Sequence, residues 1–254
     1  MIMTKTSAVD AADILIDARR SNTQLPTLPD RLQPTVLGQA YAIQDATLAL
    51  LGPVGGWKVG AKSDSEPRCS VLPKSAFLDD VKPLDWLPGG YQVEVELGFV
   101  VKSSLPARAV PYTEDEVNAA IGAGHLAIEL VASRFIDRKS LSPLMAIADL
   151  QSNAGVFCSA PVTDWRDRNL ADIAITLSIN GNLLSQPPKN TGWPDTLVTL
   201  TWLANHAAAR GQALSAGQII ITGARIGPVP VAPGDEIVAS APGFEEVPLQ
   251  FKDQ

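Results

Sequence analysis

Val93-Glu94-Val95-Glu96-Leu97 sets two glutamates two positions apart inside the apolar run 93–101. Side chains of a β-strand alternate between faces. Glu94 and Glu96 are therefore expected on one face, and Val93, Val95, Leu97, Phe99 and Val101 on the other. Taken alone, the alternation fits an edge strand with a wet outer face and two solvated glutamates. The competing reading is chemical. Two carboxylates on one face of a largely apolar strand repel each other and lose hydration, and a hard divalent cation with oxygen ligands relieves both costs.

A second strand, expected over 125–132, bears on the choice. Leu126, Ile128 and Leu130 occupy one face; Ala127, Glu129 and Val131 occupy the other. Glu129 is then a third acid in an apolar strand, and three acids on two successive apolar strands keep the cation open beside the solvated reading.

Upstream, Gly55-Gly56-Trp57-Lys58-Val59-Gly60 predicts a short strand with close backbone approach at each end and Lys58 as its only charge. A solvated surface lysine is the plain alternative. The polar segment 61–74, with Pro67 and Pro73, predicts a long loop. Asp79 and Asp80 follow as turn residues or members of a site. Ahead of these, helices are expected over 8–20, capped by Ser7, and over 38–51, joined by a proline-rich connector.

Downstream, Thr113-Glu114-Asp115-Glu116 is a capping box opening a helix to about residue 123. Residues 145–157 predict a helical or irregular stretch rich in small polar residues, then a strand at 156–158. Asn180-Gly181 marks a hairpin turn. Asp195 is expected to cap a helix through Arg210 that ends at Gly211. Short strands are expected at 218–222, 236–240 and 246–251, with Pro228, Pro230 and Pro233 separating the first two. Without regular βαβ alternation, an α+β class follows. Gly223 and Gly227 lack the Lys-Ser/Thr of a phosphate loop.

The chain has 254 residues, 46% apolar, and a formal net charge of −7. That charge argues against a nucleic-acid surface and against a polybasic membrane face. Cys69 and Cys158 form no metal-binding pair, which fits a reducing cytoplasm. His125 and His206 are too few for a histidine-rich metal site. No signal-type start and no bilayer-length apolar run is present, so a soluble cytoplasmic protein is expected.

Several stretches then occur in one order: Gly56-Trp57-Lys58-Val59-Gly60, Glu94-x-Glu96, Ala127-Ile128-Glu129-Leu130-Val131 with Ser133-Arg134, and Ala148-Asp149. Trp202-Leu203-Ala204-Asn205, Leu214-x-Ala216-Gly217-Gln218-Ile219-Ile220, Thr222-Gly223-Ala224 and Pro233-Gly234-Asp235 continue the set. Over nearly the whole chain this resembles the 2-keto-4-pentenoate hydratase and 4-oxalocrotonate decarboxylase family of the fumarylacetoacetate hydrolase superfamily. The resemblance implies a mixed β-sandwich or roll. Residues 1–80 would form a helix-rich part with the lysine strand and loop, and 81–254 the metal-binding catalytic roll. It implies a Mg²⁺ or Mn²⁺ site at Glu94, Glu96 and Glu129, with Lys58 and, by position, Asp79 as catalytic groups. Burial and the ion together would lower the Lys58 pKa.

The implied activity is that of a lyase hydrating a 2-hydroxy-dienoate, a small 2-oxo or 2-hydroxy acid, in aromatic catabolism. A 2-oxo acid decarboxylase is the alternative, and a non-catalytic partner subunit of a hydratase–decarboxylase complex is another. A homo-oligomer is expected. A carbon–carbon hydrolase would need a histidine motif that neither histidine supplies. Ala61-Lys62-Ser63 departs from the threonine-serine pair usual after the family's lysine. Lys62 and Arg68 then become candidates to pair with a second anionic group, against the alternative of a solvated loop. Ser152, Asn153 and Thr222 are candidate substrate contacts.

Overall fold

The computed structural model describes residues 5–60, 66–79, 82–184 and 187–253. Helices α1 (Lys5–Ser21) and α2 (Leu37–Leu51) pack together at the start of the chain. β1 (Val54–Gly60), β2 (Arg68–Pro73) and β3 (Gln92–Val101) follow. Next come α3 (Glu114–Ala120), β4 (Ile121–Val131), α4 (Pro143–Ala148) and β5 (Asn153–Cys158). A hairpin of β6 (Thr176–Ile179) and β7 (Asn182–Leu183) leads to α5 (Trp193–Ala209). The chain closes with β8 (Ile219–Ile221), β9 (Ile226–Pro230), β10 (Glu236–Ser240) and β11 (Val247–Gln250). No helix among the described residues is long and apolar enough to cross a membrane.

Seven strands form the larger sheet, in the order β2-β1-β8-β3-β4-β5 with β9 also on β3. Four form the smaller, in the order β11-β10-β6-β7. The expected α+β roll is what is found. The apolar face of β3, with Val93, Val95, Leu97 and Phe99 buried, joins Leu126, Ile128 and Leu130 of β4. Ile237 and Ala239 of β10 and Val247 and Leu249 of β11 belong to the same core. Each of these larger side chains, Ala239 aside, contributes about 1.5–3 kcal/mol on burial, and this ties the small sheet to the large one.

The opposite face is curled inward. After β2 the chain makes a 3-10 turn at Lys74–Ala76, and Phe77 bridges to Val156 of β5. The Phe77 ring lies against Gly55 and Gly56 of β1. One segment thus touches strands that are remote in the sheet order and closes the roll. A Cβ on Gly56 would collide with that ring and with the Ile219 carbonyl oxygen, so close approach is real at this end of β1. At Gly60 a Cβ would meet nothing within 4 Å among the described residues, although a Cβ on Gly223 would lie 3.7 Å from the Gly60 Cα.

Other expectations need correction. Part of the expected loop 61–74 is β2, which pairs antiparallel with β1. Its Cys69, Val71 and Leu72 are buried, so their apolar contribution outweighs the local polarity and prolines. Residues 226–230 are a strand, not a separator. Among the described residues β9 pairs only with β3, and an edge position tolerates prolines that have no N–H to donate. α1 begins at Lys5, which places Ser7 inside it. Gly192, not Asp195, precedes α5, and Pro194 and Asp195 fall in its first turn.

The Thr113–Glu116 capping box forms in both directions. Its helix ends at Ala120, because Ile121 already pairs with Val101 as β4 begins. β5 likewise starts at Asn153, ahead of the expected 156. Asn180 and Gly181 make the expected hairpin turn, with φ of 52° and 74°. β1, from the segment 1–80, pairs in parallel with β8, so the large sheet runs across that boundary.

Candidate metal centre and its cavity

β3 and β4 pair antiparallel with Glu94 opposite Glu129 and Glu96 opposite Ala127. The period of two therefore brings Glu94, Glu96 and Glu129 onto one patch of the inward face. One carboxylate oxygen from each lies within 4.8 Å of the others. Glu96 and Glu129 are buried and Glu94 is half-buried.

A break in strand pairing makes room at Glu96. β3 pairs with β8 at Gly98–Val100 and with β9 at Gln92–Val95. The intervening residues 222–225 bulge past Glu96, anchored by Thr222 N–H to Leu97 O at 3.1 Å and Arg225 N–H to Val95 O at 2.7 Å. Within the bulge, Gly223 takes a φ of 93°, which favours glycine, and its N–H donates to Glu96 Oε2 at 2.7 Å.

Lys58 reaches the cluster from β1. Its Nζ donates to both oxygens of Glu129, at 2.5 and 2.6 Å. Asn153 Nδ2 donates to Glu129 Oε1 at 2.8 Å, which fixes that carboxylate from the β5 side. Three carboxylates against one ammonium leave a net −2 if all are ionised (−3 + 1). Burial, then the charges of Glu129 and Glu94, push the Glu96 pKa well above the usual carboxylate range. Burial also raises Glu94, opposed by Lys58 and reinforced by Glu129. Burial alone would depress Lys58, yet Glu129, Glu94 and Glu96 outweigh it and its pKa is raised.

A hard oxygen-donor set of three crowded carboxylates, two of them with raised pKa, fits a hard divalent cation. Above the cluster opens a cavity of about 520 Å³. Lys58, Glu94 and Glu96 line it, and so do Arg68, Arg138, Lys139 and Gln151. Among the predicted site residues, Arg68 therefore joins the acids, on the same strand face as Ser70, which pairs with Lys58. Lys62 lies outside the described residues.

Asp79 does not line this cavity. It lines two neighbouring ones, and its charge acts on Cys158, which pairs with Ala127 one step along the face from the Glu129–Val156 pair. The crossing of Phe77 to β5 carries it there. Thr222 is committed to the backbone: its Oγ1 donates to Leu97 O at 2.8 Å. Ser152 is buried and lines no part of the cavity. Arg138, Lys139 and Gln151 were not singled out from sequence. They come from a loop and an irregular turn, where no periodicity marks an inward side chain.

Residues 43–250 match the family model for the fumarylacetoacetate (FAA) hydrolase C-terminal region. A 2-keto-4-pentenoate hydratase from Paraburkholderia xenovorans (strain LB400) is 29% identical over 267 residues, covering 98% of this chain and 97% of the relative. A 4-oxalocrotonate decarboxylase from Pseudomonas sp. (strain CF600) is 28% identical over 162 residues, covering 63% of this chain and 60% of the relative. Among solved structures, the 4-oxalocrotonate decarboxylase from Pseudomonas putida G7, complexed with magnesium and adipate, superposes with a TM-score of 0.83. It is 21% identical, with 98% of this chain and 99% of that chain covered.

Proposed function

We propose, because this chain belongs to the fumarylacetoacetate hydrolase family, that it is a divalent-metal-dependent lyase hydrating a 2-hydroxy-dienoate of the 2-keto-4-pentenoate type. The observation that carries the reading is the trio Glu94, Glu96 and Glu129, one carboxylate oxygen from each within 4.8 Å of the others, with Glu94 and Glu96 on the wall of an open cavity. The named relatives are hydratases and decarboxylases, both lyases, and the hydratase matches along nearly its full length.

The three glutamates would hold the ion. A bound divalent cation would supply positive charge to an oxyanion developing on a 2-oxo acid. The chain's own residues do the rest. Gly223 N–H and Asn153 Nδ2 orient Glu96 and Glu129. Lys58 is the ammonium nearest the cluster and the group placed to hold or deliver a proton at the substrate. Leu72, Ala127, Val156 and Ile221 form a dry patch on the same inward face, which limits water to the cavity side. The glutamates act as ligands, so the proton chemistry falls to Lys58. Asp79, displaced from the cavity, is assigned no step.

Decarboxylation of 4-oxalocrotonate is the second reading. Arg68, Arg138 and Lys139 along the cavity suit a second carboxylate, and that substrate is a diacid. Association into a homo-oligomer, or with a decarboxylase partner, belongs to the same proposal, and sedimentation of the purified chain tests it.

An ultraviolet assay with Mg²⁺ or Mn²⁺ on 2-hydroxypentadienoate and on 4-oxalocrotonate separates the activities. Loss of dienol absorbance by water addition supports the hydratase. Release of carbon dioxide from the diacid supports the decarboxylase. Turnover of neither overturns the lyase reading.

A further inference from the structure

The chain crosses from α4 to β5 through three consecutive non-glycine residues in the left-handed region: Leu150 at φ 51°, Gln151 at φ 51° and Ser152 at φ 63°. L-residues rarely visit this region and do so singly, so a run of three is a strained turn that its surroundings must hold. The turn sets the Gln151 side chain on the wall of the cavity that holds Lys58, Glu94 and Glu96.

A buried relay then decides which way the Gln151 amide faces. Gln44 Nε2 lies 2.6 Å from Ile147 O and 3.3 Å from Cys69 O. Carbonyls only accept, so this end of Gln44 must be the NH₂ group. The same nitrogen donates to Ser70 Oγ at 2.9 Å. Gln151 Oε1, at 3.0 Å, is the one acceptor for the Ser70 hydroxyl proton among the described residues, so Ser70 donates to it. Gln44 and Ser70 are fully buried, so water cannot reverse the order. The Gln151 oxygen is thereby turned to the wall, and its NH₂ has no partner among the described residues. Ser70 is the strand partner of Lys58, which places this donor beside the lysine.

We infer that Gln151 is a substrate-binding residue whose side-chain NH₂ donates a hydrogen bond to a carboxylate oxygen of the organic acid in the cavity. Gln44 and Ser70 are the positioning residues that aim it. This rests on the reading of the cavity as a metal-dependent site for a 2-oxo acid. A neutral donor suits the spot, because it attracts an anion without competing with Lys58 for Glu129.

The test uses the full chain loaded with Mn²⁺ and titrated calorimetrically with pyruvate, the simplest 2-oxo acid. Glycine adopts φ 51° without strain, so Gln151→Gly removes the amide and keeps the turn; Gln151→Glu places an acceptor there instead. Both variants are expected to bind Mn²⁺ as the wild type does. Gln151→Gly should bind pyruvate about tenfold more weakly, and Gln151→Glu more weakly still. Ser70→Ala, which frees the amide to turn over, should fall between Gln151→Gly and wild type. In turnover the loss should appear in KM more than in kcat. If Mn²⁺ binds and both Gln151 variants keep wild-type pyruvate affinity within twofold, the inference fails and the metal site stands. If the wild type binds no Mn²⁺, the lyase reading fails and takes this one with it.

Discussion

At Asp149 two guanidinium groups converge on one fully buried carboxylate. Arg134 Nε donates to Oδ1 at 2.7 Å and Arg19 Nη2 at 3.2 Å, while the Arg134 backbone N–H reaches Oδ2. Burial and the neighbouring Arg134 lower the Arg19 pKa to about 9, against the pull of Asp149. Asp149→Ala would leave both cations without their shared partner, and a stability loss of about 3–5 kcal/mol is expected in urea unfolding. A loss under 1 kcal/mol would show that the cluster is not structural. Arg19 Nη1 also holds the carbonyl of Asn153, whose side chain orients Glu129, so this cluster braces the site from behind.

Lys58 carries a different expectation. Lys58→Met should lower kcat by roughly 10²–10⁴-fold while leaving divalent-cation binding in place. Wild-type turnover in that variant would remove Lys58 from the chemistry. Lys58 and the three glutamates stood out in the sequence as charges in apolar strands, and the family resemblance supplied their roles. Gln151 was not, since its aim depends on a left-handed turn and a buried relay that no spacing reveals.

Among the elements, β3 was read correctly along its length, while its partners on one side were only half foreseen. β8 showed as an apolar run, but β9 hid behind Pro228 and Pro230. The split between them exposes Glu96, so the element that shapes the site was the least legible one. β4 carries a pH-dependent term. His125 is buried, with Nδ1 donating to Ser159 O at 2.7 Å, and burial lowers its pKa despite that bond. An unfolded histidine titrates near 6.5, roughly its unperturbed value. Below that pH the unfolded chain binds a proton that the folded chain resists, so this stability is present above about pH 6.5 and lost on acidification. His125→Asn keeps a donor for Ser159 but cannot titrate. Its unfolding free energy should fall less between pH 7 and pH 5 than that of the wild type. Parallel curves would exclude His125 as the source.

For the whole molecule, the curled sheet gathers three carboxylates on its inward face while the apolar face of β3 and β4 holds the two sheets together. Fold class was legible because strand alternation and the ordered motifs span the chain. The position of Asp79 was not, because it depends on how Phe77 closes the roll against Val156. An ion bound only by the folded state stabilises it by about 2.7 kcal/mol at a hundredfold excess over Kd. Saturating Mn²⁺ should therefore raise the melting temperature by roughly 5–10 °C for a chain of this size, and chelator should reverse it.

Glu94, Glu96 and Glu129 are proposed to form a divalent-cation site. Calorimetric titration of Mn²⁺ into chelator-stripped wild type and Glu96→Gln, both checked for folding by circular dichroism, tests it most directly. The wild type should take up Mn²⁺ saturably and the variant at least about tenfold more weakly, one ligand of three having lost its charge. No uptake by the wild type, or equal uptake by both proteins, would contradict it.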